Sequence, residues 1–329
     1  MTEVRGSSRG SSGRRGALGP RRPSLPPGGG DPARPTALVG PLVPEAPWTA
    51  PAVGAFPRAV SLAHPDGALV SIVADERSME ARAVAVGAEA FGELAGALRR
   101  GTEGFRIGLA PTGLELLGPS GSLVRAWPLD FAAWDAGARL GAAERRLGAA
   151  GAPESGTAFD QALDAVERAF AERAPREGIH GAGPFALRFA ELAEASDFPR
   201  NLAGFGPGTT PAGDDFIAGW LLAARLSGRE GVTIGDAELG RTTAAGRALL
   251  LGARSGCFPA YLLLFAEAFS AAVTARSEPA TPARDASTDQ AALDAAMDEA
   301  FRHGASSGAD ALLGFVRRLG RDGSVRRRL

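Results

Sequence analysis

The residues best suited to chemistry lie in one glycine-rich stretch, Gly204 to Phe216, where Gly206, Gly208 and Gly213 are interleaved with Thr209, Thr210 and two prolines ahead of Asp214 and Asp215. Glycines let backbone N–H groups approach a ligand without side-chain collision, and prolines stiffen the bend. The apolar helix expected from Ile217 to Leu226 would add unpaired amides and a positive dipole end. Such a loop is suited to hold an anion, with the Thr209 and Thr210 hydroxyls as further donors. Asp214 and Asp215 could orient a reacting group or hold Mg²⁺. The plainer reading makes Asp214 the helix N-cap, Asp215 a first-turn carboxylate and the glycines a tight turn. Both readings stand at this level.

A second stretch, His303 to Asp310, is again small-residue chain feeding an apolar helix, here Ala311 to Leu319. His303 could act as a general base, touch substrate, or simply complement a helix C-terminus. Ser306 sits at the centre of a hydrolase-elbow pattern from Gly304 to Gly308, but an elbow follows a strand and its histidine lies later in the chain. Helix precedes here, so the match carries no hydrolase reading. Ser306, Ser307 and Gly308 are instead candidate anion contacts, and Asp310 a candidate catalytic carboxylate. The two stretches echo each other: Gly213, Asp215, Gly219 and Trp220 match Gly308, Asp310, Gly314 and Phe315 in order and spacing. The echo predicts that both helix starts converge on one ligand, with Gly219 and Gly314 allowing close helix packing.

The remaining composition narrows the chemistry. All 36 basic residues are arginine, which excludes Schiff-base chemistry, a phosphate-loop lysine and lysine bases. Backbone amides and arginines would therefore hold any phosphate. Arg200, Arg241 and Arg247 are candidates, Thr243 and Arg247 falling on one helix face; solvated surface arginine is the plainer reading of each. Thr209 occupies the third glycine of a Rossmann fingerprint, so that motif is not met. One cysteine, Cys257, and three scattered histidines give no metal cluster, and no cofactor beyond Mg²⁺ is expected. His64 reads as a turn residue and His180 as a structural or solvent-facing residue of a glycine-rich link. A formal charge of -1 gives no field to gather nucleic acid or an anionic membrane. The cysteine usage fits a reducing cytoplasm.

Elements that would position these residues can be read in three spans. Residues 1–46 are Arg, Ser, Gly and Pro with little apolar periodicity and read as a disordered tail. Residues 47–135 carry short β-type runs from Ala59 onward, with hairpin signals at Asp66-Gly67 and Ser120-Gly121 and one helix over 90–100. Residues 136–329 read as helices over 136–148, 157–174, 183–196, 214–227, 236–254, 258–276, 288–303 and 309–320. The span from Phe258 to Ala275 is apolar enough to consider for a bilayer, but Glu267 within it favours a buried core helix. The expected fold is α+β: a small, mostly antiparallel N-terminal sheet, then an all-helical domain carrying the glycine-rich loop.

Three blocks, Gly206 to Phe216, Thr242-Thr243 through Arg247, and His303 to Asp310, resemble the signature blocks of a bacterial domain-of-unknown-function family that includes AllH. The resemblance spans roughly residues 57–320. It implies a protein of purine or allantoin catabolism, a small anionic metabolite as ligand and other carbamoyltransferase subunits as partners. AllH is assigned as one subunit of an oxamate carbamoyltransferase, which interconverts oxalurate plus phosphate with oxamate plus carbamoyl phosphate. Ala212 stands where the family usually has serine, Thr209 where an apolar residue is common, and Ala305 where threonine is frequent. The implied alternatives are an enzyme component and a non-catalytic subunit that completes a partner's active site.

Overall fold

A computed structural model describes residues 34–150, 157–176, 178–229, 231–277 and 286–320. The body of the expected tail, residues 1–33, lies outside them, but its last part does not. Thr36–Val39 forms strand β1, followed by β2 (Trp48–Ala55), β3 (Ala59–Ala63), β4 (Leu69–Val73), β5 (Ala83–Ala85), helix α1 (Ala88–Ala97), β6 (Arg106–Ala110), β7 (Gly113–Leu117), β8 (Leu123–Pro128) and β9 (Asp130–Ala133). These strands make one nine-stranded sheet in the order β8-β7-β6-β2-β3-β4-β5-β1-β9.

The sheet is therefore larger than expected, and it is mixed rather than of the mostly antiparallel type: β4 pairs parallel with β5, and β1 pairs parallel with β9. The physical reason is locality. Hairpin signals report only antiparallel neighbours joined by a tight turn, whereas parallel pairs need a crossover that leaves no two-residue mark. Strand β2 escaped for another reason, since Pro51 and Gly54 read as breakers. The register shift between Ala52 and Gly54 absorbs that irregularity.

The two sheet faces pack differently. Val60, Leu62, Val70, Ile72, Ile107 and Leu114 build one core with Phe91, Leu94 and Leu98 of the α1 region. Val73, Met79, Ala83 and Ala85 instead join the core of the helical half. The junction is also tied by backbone, with Ala260 N–H donating to the Met79 carbonyl at 2.8 Å.

Helices follow: α2 (Ala136–Ala149), α3 (Thr157–Arg173), α4 (Pro184–Ala193), α5 (Phe198–Leu202), α6 (Ala212–Leu226), α7 (Asp236–Leu239), α8 (Ala244–Arg254), α9 (Ala260–Ser277), α10 (Ala286–Phe301) and α11 (Ser307–Leu319). The single helix expected over 236–254 is two, α7 and α8. Thr243 breaks it by capping α8, its hydroxyl oxygen accepting the Gly246 N–H at 2.9 Å. Helix α9 is buried along most of its length, and no described helix is long and apolar enough to cross a membrane.

The centre of the helical half is the pair α6 and α11. A Cβ at Gly219 would collide with the Ala311 carbonyl, and one at Gly314 with the Phe216 carbonyl. The contact is reciprocal, because Ala311 is the counterpart of Phe216 in the sequence echo. Gly213 and Gly308 behave alike, closing on the carbonyls of Leu202 and Ala300. The echo is thus a structural one: two loop-helix units packed backbone to backbone with approximate two-fold character.

Candidate functional site

The pairing of α6 with α11 brings both nominated loops together. The Thr210 and Ser307 hydroxyl oxygens lie 3.0 Å apart. Behind them Asp215 and Asp310 are only 2% and 1% exposed. Asp310 is held on both oxygens: Oδ1 lies 2.7 Å from His180 Nε2, and Oδ2 accepts the Ser306 hydroxyl at 2.9 Å. Asp215 is held less completely, and its buried Oδ2 has no hydrogen-bond partner among the described residues. Burial, then the neighbouring Asp310 charge, pushes the Asp215 carboxyl well above the usual range, against the opposing pull of the Ser307 hydroxyl. The Tyr261 hydroxyl is pushed up by burial and by Asp215, Glu80 and Asp310, which puts all four groups in one electrostatic neighbourhood.

Several nominated residues have other work. Asp214, fully buried, is neither the N-cap nor a free ligand for Mg²⁺. Pro211 occupies the cap position, while Asp214 Oδ1 accepts the Gly204 N–H at 2.9 Å and Oδ2 accepts the Thr242 hydroxyl. With both oxygens taken, Asp214 fastens the glycine-rich loop to the start of α8. Gly213 and Gly308 are packing glycines, and their N–H groups are donated to the Phe205 and His303 carbonyls. Arg247 is turned away from the loops, its Nε donating to the Leu239 carbonyl at 3.1 Å. Thr243 is the α8 N-cap, and its hydroxyl donates to the Thr209 carbonyl. Among the described residues no group of three or more His, Cys, Asp or Glu side chains is placed to hold a metal ion.

What remains for a ligand is the loop backbone. Gly206 and Gly208 sit at φ 116° and 104°, where a side chain would be strained. The N–H groups of Gly206, Gly208, Thr209 and Thr210 donate to no acceptor among the described residues. The bend is exposed from Pro207 to Thr209 and half-buried at Gly206 and at Thr210, whose hydroxyl meets Ser307.

His303 stacks on Tyr261, ring centroids 4.1 Å apart, and lines a cavity of about 570 Å³ between the sheet and the end of α10. Arg58, Arg77, Glu80 and Arg302 line it too. Sequence reading missed these four, together with His180 and Tyr261. Isolated arginines and one glutamate outside any motif carry no signal, since only the fold juxtaposes them. His180 alone offered a cue, a histidine among glycines with an acidic partner far along the chain.

Burial raises the Glu80 carboxyl to about 7, while burial, with help from Arg58, lowers His303 to about 4. The folded state thus keeps a proton on Glu80 that the unfolded chain loses, so the Glu80 contribution to stability falls as pH rises from about 4.5 to about 7. His303 does the opposite: folding sheds a proton that the unfolded chain retains, and its contribution grows from about pH 4 to 6.5. Relative to wild type, Glu80→Gln should gain about 2 kcal/mol between pH 5 and pH 6.5 and His303→Gln should lose about as much. Chemical denaturation at those two pH values checks this, and variants with parallel pH dependence would contradict the two assignments.

No curated protein and no solved structure matches the chain. A family match exists, narrower than the resemblance read from the sequence, and it takes in both glycine-bearing helix starts, the Thr242-Thr243 cap and the His303 loop but none of the sheet. Residues 202–319 are AllH-like, matching the family model described as oxamate carbamoyltransferase subunit AllH.

Proposed function

We propose that the chain is an AllH-like component of a carbamoyl-transfer system and binds a small anionic metabolite where the glycine-rich loop meets the His303 loop. The observation that carries this reading is the convergence of Thr210 and Ser307 over a buried acid pair, Asp215 and Asp310, inside the AllH-like segment. In the transfer, a phosphate oxygen bonds to the carbamoyl carbon of oxalurate and the bond from that carbon to the oxamate nitrogen breaks. Negative charge grows on the carbamoyl oxygen, and preorganised N–H donors stabilise it without reorganisation. The free N–H groups of Gly206, Gly208, Thr209 and Thr210 are such donors. The departing nitrogen takes a proton, which a carboxyl kept protonated by burial, Asp215, can supply.

The reaction is read as carbamoyl phosphate formed from oxalurate and phosphate, using the full chain alone and then with its partner carbamoyltransferase subunits. The component reading expects formation with the partners present and little without them. Carbamoyl phosphate formed equally well by the partners with the chain left out would contradict it.

A further inference from the structure

We propose that the sheet half of the chain supplies an oxyanion subsite: a small carboxylate or phosphate binds in the cavity between β3, β4 and the end of α10, held by Arg58 and Arg77 with Arg302 and His303 beside it. This deepens the reading above by naming where the charged end of the metabolite sits, outside the segment that matches the family.

Three arginines, Arg58, Arg77 and Arg302, line the cavity. Arg302 is paired with Glu299 at 2.6 Å, whereas Arg58 and Arg77 have neither a salt bridge nor a side-chain hydrogen bond among the described residues. Of the cavity carboxylates, Glu299 serves Arg302, and Asp75 caps the short turn Glu76–Ser78 through Oδ1, accepting from the Ser78 N–H at 3.1 Å and hydroxyl at 3.2 Å; it keeps its charge, so with Glu80 protonated three arginines face two carboxylates and the lining stays net positive. Two unpaired cations therefore share one concavity, and planar guanidinium forks match carboxylate and phosphate oxygens. A volume of about 570 Å³ lies within the usual range for small-molecule sites.

The other lining groups fit the same ligand. His303 is fixed by stacking on Tyr261, and with its pKa lowered to about 4 it is a neutral hydrogen-bonding ring at pH 7. Glu80 is the one lining carboxyl raised to about 7, so it opposes anion binding only after it deprotonates. The groups around it come from every neighbouring element: Arg58 before β3, Asp75 and Arg77 after β4, Asp215 from α6, Tyr261 from α9, Glu299, Arg302 and His303 at the end of α10, and Asp310 from α11.

Calorimetric titration of the full chain with inorganic phosphate, and separately with oxamate, at pH 6.5 tests the subsite and tells a phosphate site from a carboxylate site. The Arg58→Ala/Arg77→Ala double variant should bind the preferred probe at least about tenfold more weakly, with an unchanged melting temperature because both side chains are exposed. Across pH 6 to 8, where oxamate stays a monoanion, wild-type affinity for it should fall severalfold and the Glu80→Gln affinity should stay flat. Unchanged affinity in the arginine double variant, or no binding of either probe by wild type, overturns the subsite. Carbamoyl transfer is read in its own assay, so a subsite that fails while transfer persists leaves the broader reading intact, and the converse removes only the broader reading.

Discussion

Replacing Gly219 or Gly314 by alanine should lower the melting temperature by roughly 4–6 °C, and replacing both should abolish a cooperative unfolding transition. Each added methyl would be driven into a backbone carbonyl of the facing helix, Ala311 for Gly219 and Phe216 for Gly314. Backbone cannot rotate aside as a flexible side chain can, so α6 and α11 must separate. Overpacking of this kind costs about 3 kcal/mol at one site, which corresponds to several degrees in a chain of this size. The two changes lie in one interface and should not add independently. Gly92→Ala on the exposed face of α1, where an added Cβ meets nothing within 4 Å, is the control. It should be neutral or stabilising by up to about 1 kcal/mol, since alanine loses less backbone freedom in a helix. Thermal unfolding followed by circular dichroism distinguishes these outcomes, and Gly219→Ala melting with wild type would remove the close helix pair from the account.

Asp214→Ala is expected to be nearly as damaging, for a different reason. It strips acceptors from the half-buried Gly204 N–H and Thr242 hydroxyl around a carboxylate that is itself fully buried. A buried donor left without a partner costs about 1–3 kcal/mol, so two cost on the order of 4 kcal/mol. Asp214→Asn should be tolerated within about 1 kcal/mol. Its oxygen can take the Gly204 N–H while its amide donates to the Thr242 hydroxyl oxygen, which reverses its own role. Hydrogen exchange should be faster at the Gly204 and Phe205 amides, the bonded N–H groups of this segment, in the alanine variant alone. Equal damage from both substitutions would mean that charge, rather than the pair of acceptors, holds the loop.

The two variants mark how far sequence reasoning reaches here. The echo of Gly213, Asp215, Gly219 with Gly308, Asp310, Gly314 was legible because helix starts and helix-packing glycines are local patterns, and the structure joins the two copies through the very glycines that repeat. The N-cap reading of Asp214 did not hold, because Pro211 takes that position and adjacent carboxylates look alike in sequence. Their division into a loop clamp and a buried acid follows from which way each points in the first turn of α6, which depends on Pro211, and not Asp214, occupying the cap. Helix periodicity in the second half was readable to within a few residues, but the α7–α8 break was not, since Thr242-Thr243 becomes a cap only when Asp214 and Thr209 are there to bind it. The mixed sheet was the least legible element. Parallel partners such as Ser71 and Ala83, or Thr36 and Asp130, are set by contacts far apart in the chain. The arginine cavity shares that origin, because Arg58, Arg77 and Arg302 meet only after sheet and helices have docked.

The central claim is that the two loops form a working site around a buried acid, and Asp215→Asn in the reconstituted carbamoyl-transfer assay tests it most directly. Burial favours the protonated Asp215, so asparagine matches its shape and neutrality and the fold should be kept. The account predicts a melting temperature within about 2 °C of wild type together with a loss of carbamoyl phosphate formation of at least about 100-fold, within the usual contribution of a positioned proton donor. Full activity in Asp215→Asn, with the same melting temperature, would contradict it and leave the acid pair as packing alone.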